Sequence, residues 1–166
     1  MLRGTGSVGD AHHPVAPHPE GTGAEAAVRA ALAGAGLRLT DIGHVNAHGT
    51  GTRVGDSAEV RALRRVFGDR PTAVTATKSV LGHSLGAAGA IEAAVTVLAL
   101  GHQTVPPTAN LRGQDPGQEI DVVTGAPRRV GFDAALSLSS GFGGHNTALV
   151  FTAPDRVFGL GGRGRP

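Results

Sequence analysis

Two histidines and one lysine are the residues of this sequence whose types and spacing fit chemistry. His48 sits in Asn46-Ala47-His48-Gly49-Thr50-Gly51-Thr52, and His83 closes the run Lys78-Ser79-Val80-Leu81-Gly82-His83. Both imidazoles have a glycine neighbour, which lets backbone or a ligand come close. Two neutral imidazoles converging on one point would make either an oxyanion site for a thioester carbonyl or an acid–base pair. A histidine beside glycine is also a common packing or capping residue, so both readings stay open at this level. Thr50 and Thr52 would add hydroxyls along the same wall. Lys78 is the one lysine among 15 Lys and Arg. In a chain that otherwise uses arginine, it marks a place suited to a compact ammonium. Cysteine is absent, so these residues offer no disulfide, no thiolate metal site and no thiol nucleophile.

The elements that must position these groups follow from the pattern. Ile42 to Asn46 reads as a buried strand that delivers His48 at its C-terminal end, where α/β sheets place ligands. Thr72 to Thr77 is rich in β-branched residues and reads as a strand leading into Lys78. From Ser84 to Leu100 the chain is apolar on every side except at Glu92 and stops at Gly101, the pattern of a buried helix. His83 is expected at its first turn, where exposed N–H groups and the helix dipole disfavour a protonated imidazole. Gly82, Gly86, Ala87 and Gly89 keep the near side small, and a carboxylate such as Glu92 on a buried helix needs a partner.

The remaining segments complete a layered domain. Leu2 to Val8 reads as an extended piece, followed by a proline-punctuated loop from Gly9 to Pro19. Its His12, His13 and His18 lack an acidic or thiol partner at metal-ligand spacing, which favours a solvated or substrate-facing loop. Thr22-Gly23-Ala24-Glu25 reads as a capping box opening a helix with Val28, Ala31, Leu32 and Ala35 on one face, closed by Gly36. Asp56, three residues before Glu59 in the spacing of a capping pair, is expected to start a helix with Val60, Leu63 and Phe67 at core spacing. Val105 to Thr108 reads as an extended loop and Glu119 to Val123 as a short strand. Two strands, Asp133 to Ser139 and His145 to Phe151, flank Ser140-Gly141-Phe142-Gly143-Gly144. Alternating strands and helices with a final hairpin imply an α/β layered domain with a mixed sheet. Gly159 to Pro166 is Gly/Arg-rich and expected to be disordered.

Composition excludes several classes. The 166 residues fit one domain, and 40% hydrophobic against 17% charged residues argues for a folded chain. The net charge is only +2, and the arginines are scattered or paired without interleaved aromatics, so nucleic acid is not an expected partner. Met1-Leu2-Arg3-Gly4 lacks a signal-peptide core, and Glu92 with many small residues argues against a membrane span. A cytoplasmic protein is expected.

The motifs 46–52, 78–83 with Gly86-Ala87-Ala88-Gly89, and Gly141-Phe142-Gly143-Gly144-His145-Asn146 resemble, in order and spacing, those of the C-terminal half of β-ketoacyl-acyl-carrier-protein synthases. Asp10-Ala11-His12-His13 and Val105-Pro106-Pro107-Thr108-Ala109-Asn110-Leu111 match as well, so the likeness runs from about Gly4 to Phe151. The fatty-acid elongating and type II polyketide enzymes look most similar. The resemblance implies the C-terminal half of a thiolase-like fold, an α/β mixed sheet with a central buried helix at about 83–100. It implies a half-domain over 1–153, with 1–20 as its entry strand and loop, and a disordered tail over 154–166. The implied activity is decarboxylative Claisen condensation of an acyl group with a malonyl group on an acyl carrier protein. By resemblance His48, Lys78 and His83 are catalytic, Thr50 and Thr52 hold the phosphopantetheine arm, and Phe142 gates the acyl pocket on a loop that Gly143 lets move. Glu92 would contact Lys78 or a structural cation near Asn46, Ser137 and Asn146. No catalytic metal or free cofactor is implied, since the substrates ride on phosphopantetheine.

The departure from that pattern is that only one half is present. The nucleophilic cysteine lies in the other half, and Leu138 and Ser140 stand where many members have Asn and Phe. Three readings follow: a fragment of a longer synthase, one half of a split enzyme, or a non-catalytic partner like the chain-length-factor subunits. The first is favoured, and His48, Lys78 and His83 argue against the third. The expected partners are an acyl carrier protein, the N-terminal ketosynthase half and a second subunit in a homo- or heterodimer, with no membrane involved. Alone, the chain is expected to expose an apolar face, to self-associate and not to condense.

Overall fold

The computed structural model of the chain describes residues 1–153, so the tail expected over 154–166 lies outside the described residues. Five strands form one mixed sheet in the order β1 (Leu2–Gly9), β7 (His145–Thr152), β6 (Ala134–Gly141), β2 (Ile42–Asn46), β3 (Ala73–Thr75). β1 and β6 run antiparallel to β7, whereas β6, β2 and β3 run parallel. The mixed sheet read from the alternation is therefore present.

One face of the sheet is covered by α1 (Thr22–Ala35) and α2 (Arg53–Phe67). Val28, Ala31, Leu32 and Ala35 of α1 pack with Val45, Leu63, Leu136 and Val150 in one apolar core. α1 lies directly on β1 because Gly4 and Gly6 present no Cβ, and one at Gly6 would collide with the Ala27 carbonyl oxygen. The Thr22–Glu25 capping box does not form. Gly21 takes the N-cap at φ 61° without a side-chain cap, and Glu25 bonds Arg65 Nε at 2.6 Å and Arg29 Nε at 2.9 Å instead. Gly36 closes the helix as expected, at φ 66°. α2 starts three residues before Asp56, at Arg53. The Asp56 carboxylate instead turns back to accept from Gly51 N at 3.2 Å.

The opposite face carries α4 (Ala88–His102), which buries Ala99 and Leu100 against Ala135, Phe132 and Phe151. This corrects the continuous helix expected from Ser84. A four-residue helix α3 (Lys78–Leu81) comes first, then a loop with His83, then a 3-10 turn at Leu85–Ala87. Gly82 at φ 71° caps α3, and inside the expected helix Leu85 takes φ 53° at the start of the 3-10 turn, so the α-helix begins only at Ala88. α4 is buried along one stripe only, Ala88, Glu92, Thr96 and Ala99, whereas Val97 and Leu98 are exposed. The stretch Leu85–His102 has the length and composition of a membrane-crossing helix. Its carboxylate, however, is turned inward to an ion pair, and its exposed side reads as a packing surface for a further layer.

Glu119 to Val123 forms a single parallel bridge, Val74 to Val122, rather than a strand. Gln114 holds both backbone groups of Ile120 at 2.9 and 3.0 Å and bends the segment just before it. A two-stranded ribbon of β4 (Thr104–Val105) and β5 (Arg128–Arg129) completes the described residues.

Candidate active site

β2 ends at Asn46 and turns His48 and Gly49 over the C-terminal edge of the sheet. β3, its parallel neighbour, brings Lys78 to the same edge, and Ala47 N donates to Thr75 O at 2.8 Å to hold the two exits together. Lys78 is buried, and all three of its protons are committed. They go to the His48 carbonyl oxygen at 2.6 Å, to His48 Nδ1 at 3.2 Å, and to Glu92 Oε1 in an ion pair with both side chains buried. An ammonium has no lone pair, so Nδ1 of His48 accepts and the ring proton sits on Nε2.

The second imidazole reaches the same state by another route. Leu85 N donates to His83 Nδ1 at 3.2 Å, which leaves the proton on Nε2 there as well. His83 lies in the loop after α3 and not in the first turn of a long helix. The two rings stand edge to face with centroids 5.6 Å apart. Burial pushes His48 down to about 4, helped by the positive charge of Lys78 and by His83. His48 is therefore neutral at physiological pH, with one N–H to offer. Burial raises the Glu92 carboxyl above the usual carboxylate range, against the opposing pull of Lys78.

Beneath His48 lies a residue that sequence reading used only as a helix marker. Glu59 of α2 accepts His48 N at 2.7 Å and Gly49 N at 2.9 Å, one on each carboxylate oxygen. Burial drives it up to about 7, beyond what those two N–H donors offset. The signal for it was present: Glu59 lies four residues before Leu63 on the apolar stripe of α2, where an acid must find partners.

A cavity of 640 Å³ is lined by both imidazoles together with Thr50, Thr52 and Phe142. A larger cleft of 940 Å³ runs on the far side of Thr50 and Thr52 and contains Lys78 and His83 but not His48. We place the site in the smaller cavity, because it alone of the two holds both rings. The structure thus brings together His48, His83, Thr50, Thr52 and Phe142, with Thr50 and Thr52 hydroxyls 3.0 Å apart. Lys78 stands behind His48 rather than in that cavity. Gly143 does not line it either: its N donates to Pro14 O at 2.6 Å and ties the Phe142 loop to the loop after β1. His13 and His18 in that loop use Nδ1 to accept from their own backbone, at Val15 N and Glu20 N.

Glu92 has found the lysine of the two partners expected for it. For the structural cation, Ser137 Oγ and Glu92 Oε2 fit, being buried with no hydrogen-bond partner among the described residues, and Ser137 faces Asn46 across the sheet. The Asn146 side chain does not fit, since it is spent on Asp10, Gly144 and Ser140. A cation held by Glu92 and Ser137 would add positive charge beside the Lys78–Glu92 pair and supply nothing to the reacting atoms.

The family described as beta-ketoacyl synthase, C-terminal domain, matches residues 1–112. The 3-oxoacyl-[acyl-carrier-protein] synthase 2 of Mycobacterium tuberculosis (strain ATCC 25618 / H37Rv) is 50% identical over 150 residues, covering 90% of this chain and 36% of that protein. Among solved structures, the ishigamide ketosynthase/chain length factor superposes with a TM-score of 0.88 at 38% identity over 92% of this chain and 38% of that one. A type II polyketide synthase ketosynthase, described as bound to a hexaketide and in complex with its acyl-carrier protein, gives 0.89 at 31% identity over 93% and 38%. The chain thus spans little more than a third of the length of these relatives. With the folded half-sheet, the paired imidazoles and these likenesses together, the chain belongs to the beta-ketoacyl synthase family, through the C-terminal domain of its members.

Proposed function

We propose that this chain supplies the imidazole-bearing part of a decarboxylative condensing site, with residues 1–153 acting as one unit. The observation that carries this reading is the pairing of two imidazoles whose Nδ1 atoms are both occupied as acceptors. Both are left with an Nε2–H to offer in one cavity. Two such donors on a thioester carbonyl oxygen stabilise the negative charge that develops there.

The chemistry then proceeds as follows. A malonyl thioester enters with its carbonyl oxygen between the two Nε2–H groups. The bond to the free carboxylate breaks, carbon dioxide leaves, and its electron pair becomes an enolate held by His48 and His83. The enolate carbon attacks an acyl thioester on a cysteine that must come from outside these residues. The carbon–carbon bond forms, the thiolate departs, and a β-ketoacyl thioester remains on the carrier.

Lys78 fixes the His48 tautomer and Glu59 fixes its backbone. Thr50 and Thr52 bond the amides of a phosphopantetheine arm, and Phe142 stands at the entrance on the loop that Gly143 hinges. An acyl carrier protein, a cysteine-bearing N-terminal region and a dimeric assembly are the partners this reading requires, in the cytoplasm, with no free cofactor. The non-catalytic subunit reading is not favoured, because a scaffold has no chemical need for two oriented Nε2–H donors.

The test is condensation by purified components. The chain mixed with a cysteine-bearing N-terminal half, acyl and malonyl thioesters should yield β-ketoacyl product, and the chain alone should yield none. Product from the chain alone, or none from a demonstrably assembled pair, would refute the assignment.

A further inference from the structure

His145, the first residue of β7, takes no part in the chemistry above, yet its side chain lines the same 640 Å³ cavity as His48, His83 and Phe142. Its setting is unusual in two respects. Its cross-strand partners are both glycine, Gly9 on β1 and Gly141 on β6. The imidazole is therefore unflanked in the sheet and free to lie beneath the turn that precedes it. The ring stands close under that turn: a Cβ built on Gly143 would lie 3.2 Å from both Cδ2 and Nε2 of the ring. Gly143 holds φ 83° there and Gly144 φ 76°, so two of the three residues of the turn use the left-handed region that glycine permits.

The turn is held from its other side by two backbone bonds and by Asn146 Nδ2, which donates to Gly144 O at 3.1 Å. Gly143 N donates to Pro14 O at 2.6 Å, and Asp10 N donates to Gly144 O at 2.8 Å. Phe142 itself is 77% exposed and gains little from packing. The position of its ring is therefore set by whatever fixes Gly143. We propose that His145 is a positioning residue for the entrance loop, its imidazole forming the floor on which Gly143, and through it Phe142, is seated over the cavity. The consequence for substrate rests on the condensing-site reading: a seated Phe142 narrows entry for the carrier-bound thioester, so His145 governs access rather than the carbon–carbon step.

The chain has no Trp and no Tyr, so Phe142→Trp installs a single indole in the loop. Its anisotropy, together with amide exchange at Gly143, reports seating without requiring any activity. His145→Ala should lower the anisotropy and speed exchange at Gly143 about tenfold, with the thermal midpoint nearly unchanged. His145→Phe, which keeps a flat ring, should retain the parent values. Gly143→Ala should disturb the loop more with the ring present than in the His145→Ala background, where nothing meets the added methyl. In the assembled enzyme, His145→Ala should raise KM for the malonyl carrier thioester by roughly threefold or more, with a smaller change in kcat. Unchanged anisotropy and exchange in His145→Ala overturns the proposal and leaves the condensing site standing. Changed loop readouts in a pair that makes no product uphold the seating and fault the functional reading instead.

Discussion

The chemistry of this site rests on one buried ammonium. Lys78 offers its three protons to three acceptors on two elements, so it sets the His48 tautomer, anchors the strand exit and balances Glu92 in a single position. Lys78→Met leaves a buried carboxylate unpaired and should cost about 3–5 kcal/mol of stability, with much of it recovered in Lys78→Met/Glu92→Leu. Chemical denaturation of the three chains checks both the loss and the recovery. A second buried imidazole contributes nothing of this kind. His44 in β2 has neither ring nitrogen bonded among the described residues and packs edge-on to Phe132 at 5.7 Å. Burial pushes it down to about 4. The unfolded chain takes up the proton near the ordinary ~6.5, whereas the folded chain resists until about 4. Stability is therefore full above the ordinary value and falls as pH drops through this window. The loss from His44 should reach about 2 kcal/mol at pH 5, and His44→Leu should flatten that part of the profile while stabilising the chain at neutral pH. Thermal midpoints between pH 8 and pH 5 decide this.

At the scale of elements, the sheet and its covering helices were legible because their signals are local. Ile42 to Asn46, the α1 face and the final hairpin all announce themselves by apolar spacing and glycine stops. What sequence reading mislaid is where side chains chose a tertiary partner over a local one. Glu25 left its capping box for arginines, and Asp56 turned back to a loop amide. Glu59, read as a capping signal, proved to be the seat of His48. The apolar run 84–100 hid a break because hydrophobicity alone does not register the left-handed backbone at Leu85 or the 3-10 turn that it opens. Close helix–strand contact gives a sharp test at this scale. Gly6→Val places its side chain on the Ala27 carbonyl of α1, so the helix must lift from β1, and roughly 2–4 kcal/mol of stability should be lost. A variant as stable as the parent would show that α1 does not lie on β1 as described.

The whole molecule presents an unfinished surface. Val97 and Leu98 on α4, with Val80, Leu81 and Leu85 before it, are exposed apolar residues, and relatives carry nearly two-thirds of their length beyond the matched portion. The purified chain should therefore self-associate, and Leu85→Glu/Leu98→Glu should restore a monomer while abolishing assembly with a cysteine-bearing half. Light scattering with size-exclusion chromatography distinguishes these states. The account stands most directly on malonyl-thioester decarboxylation by the chain assembled with a partner whose nucleophilic cysteine has been replaced by alanine. Carbon dioxide release should persist without the thiol and should fall by about 10²-fold or more in His48→Ala and in His83→Ala. Release that survives the loss of either imidazole would contradict it.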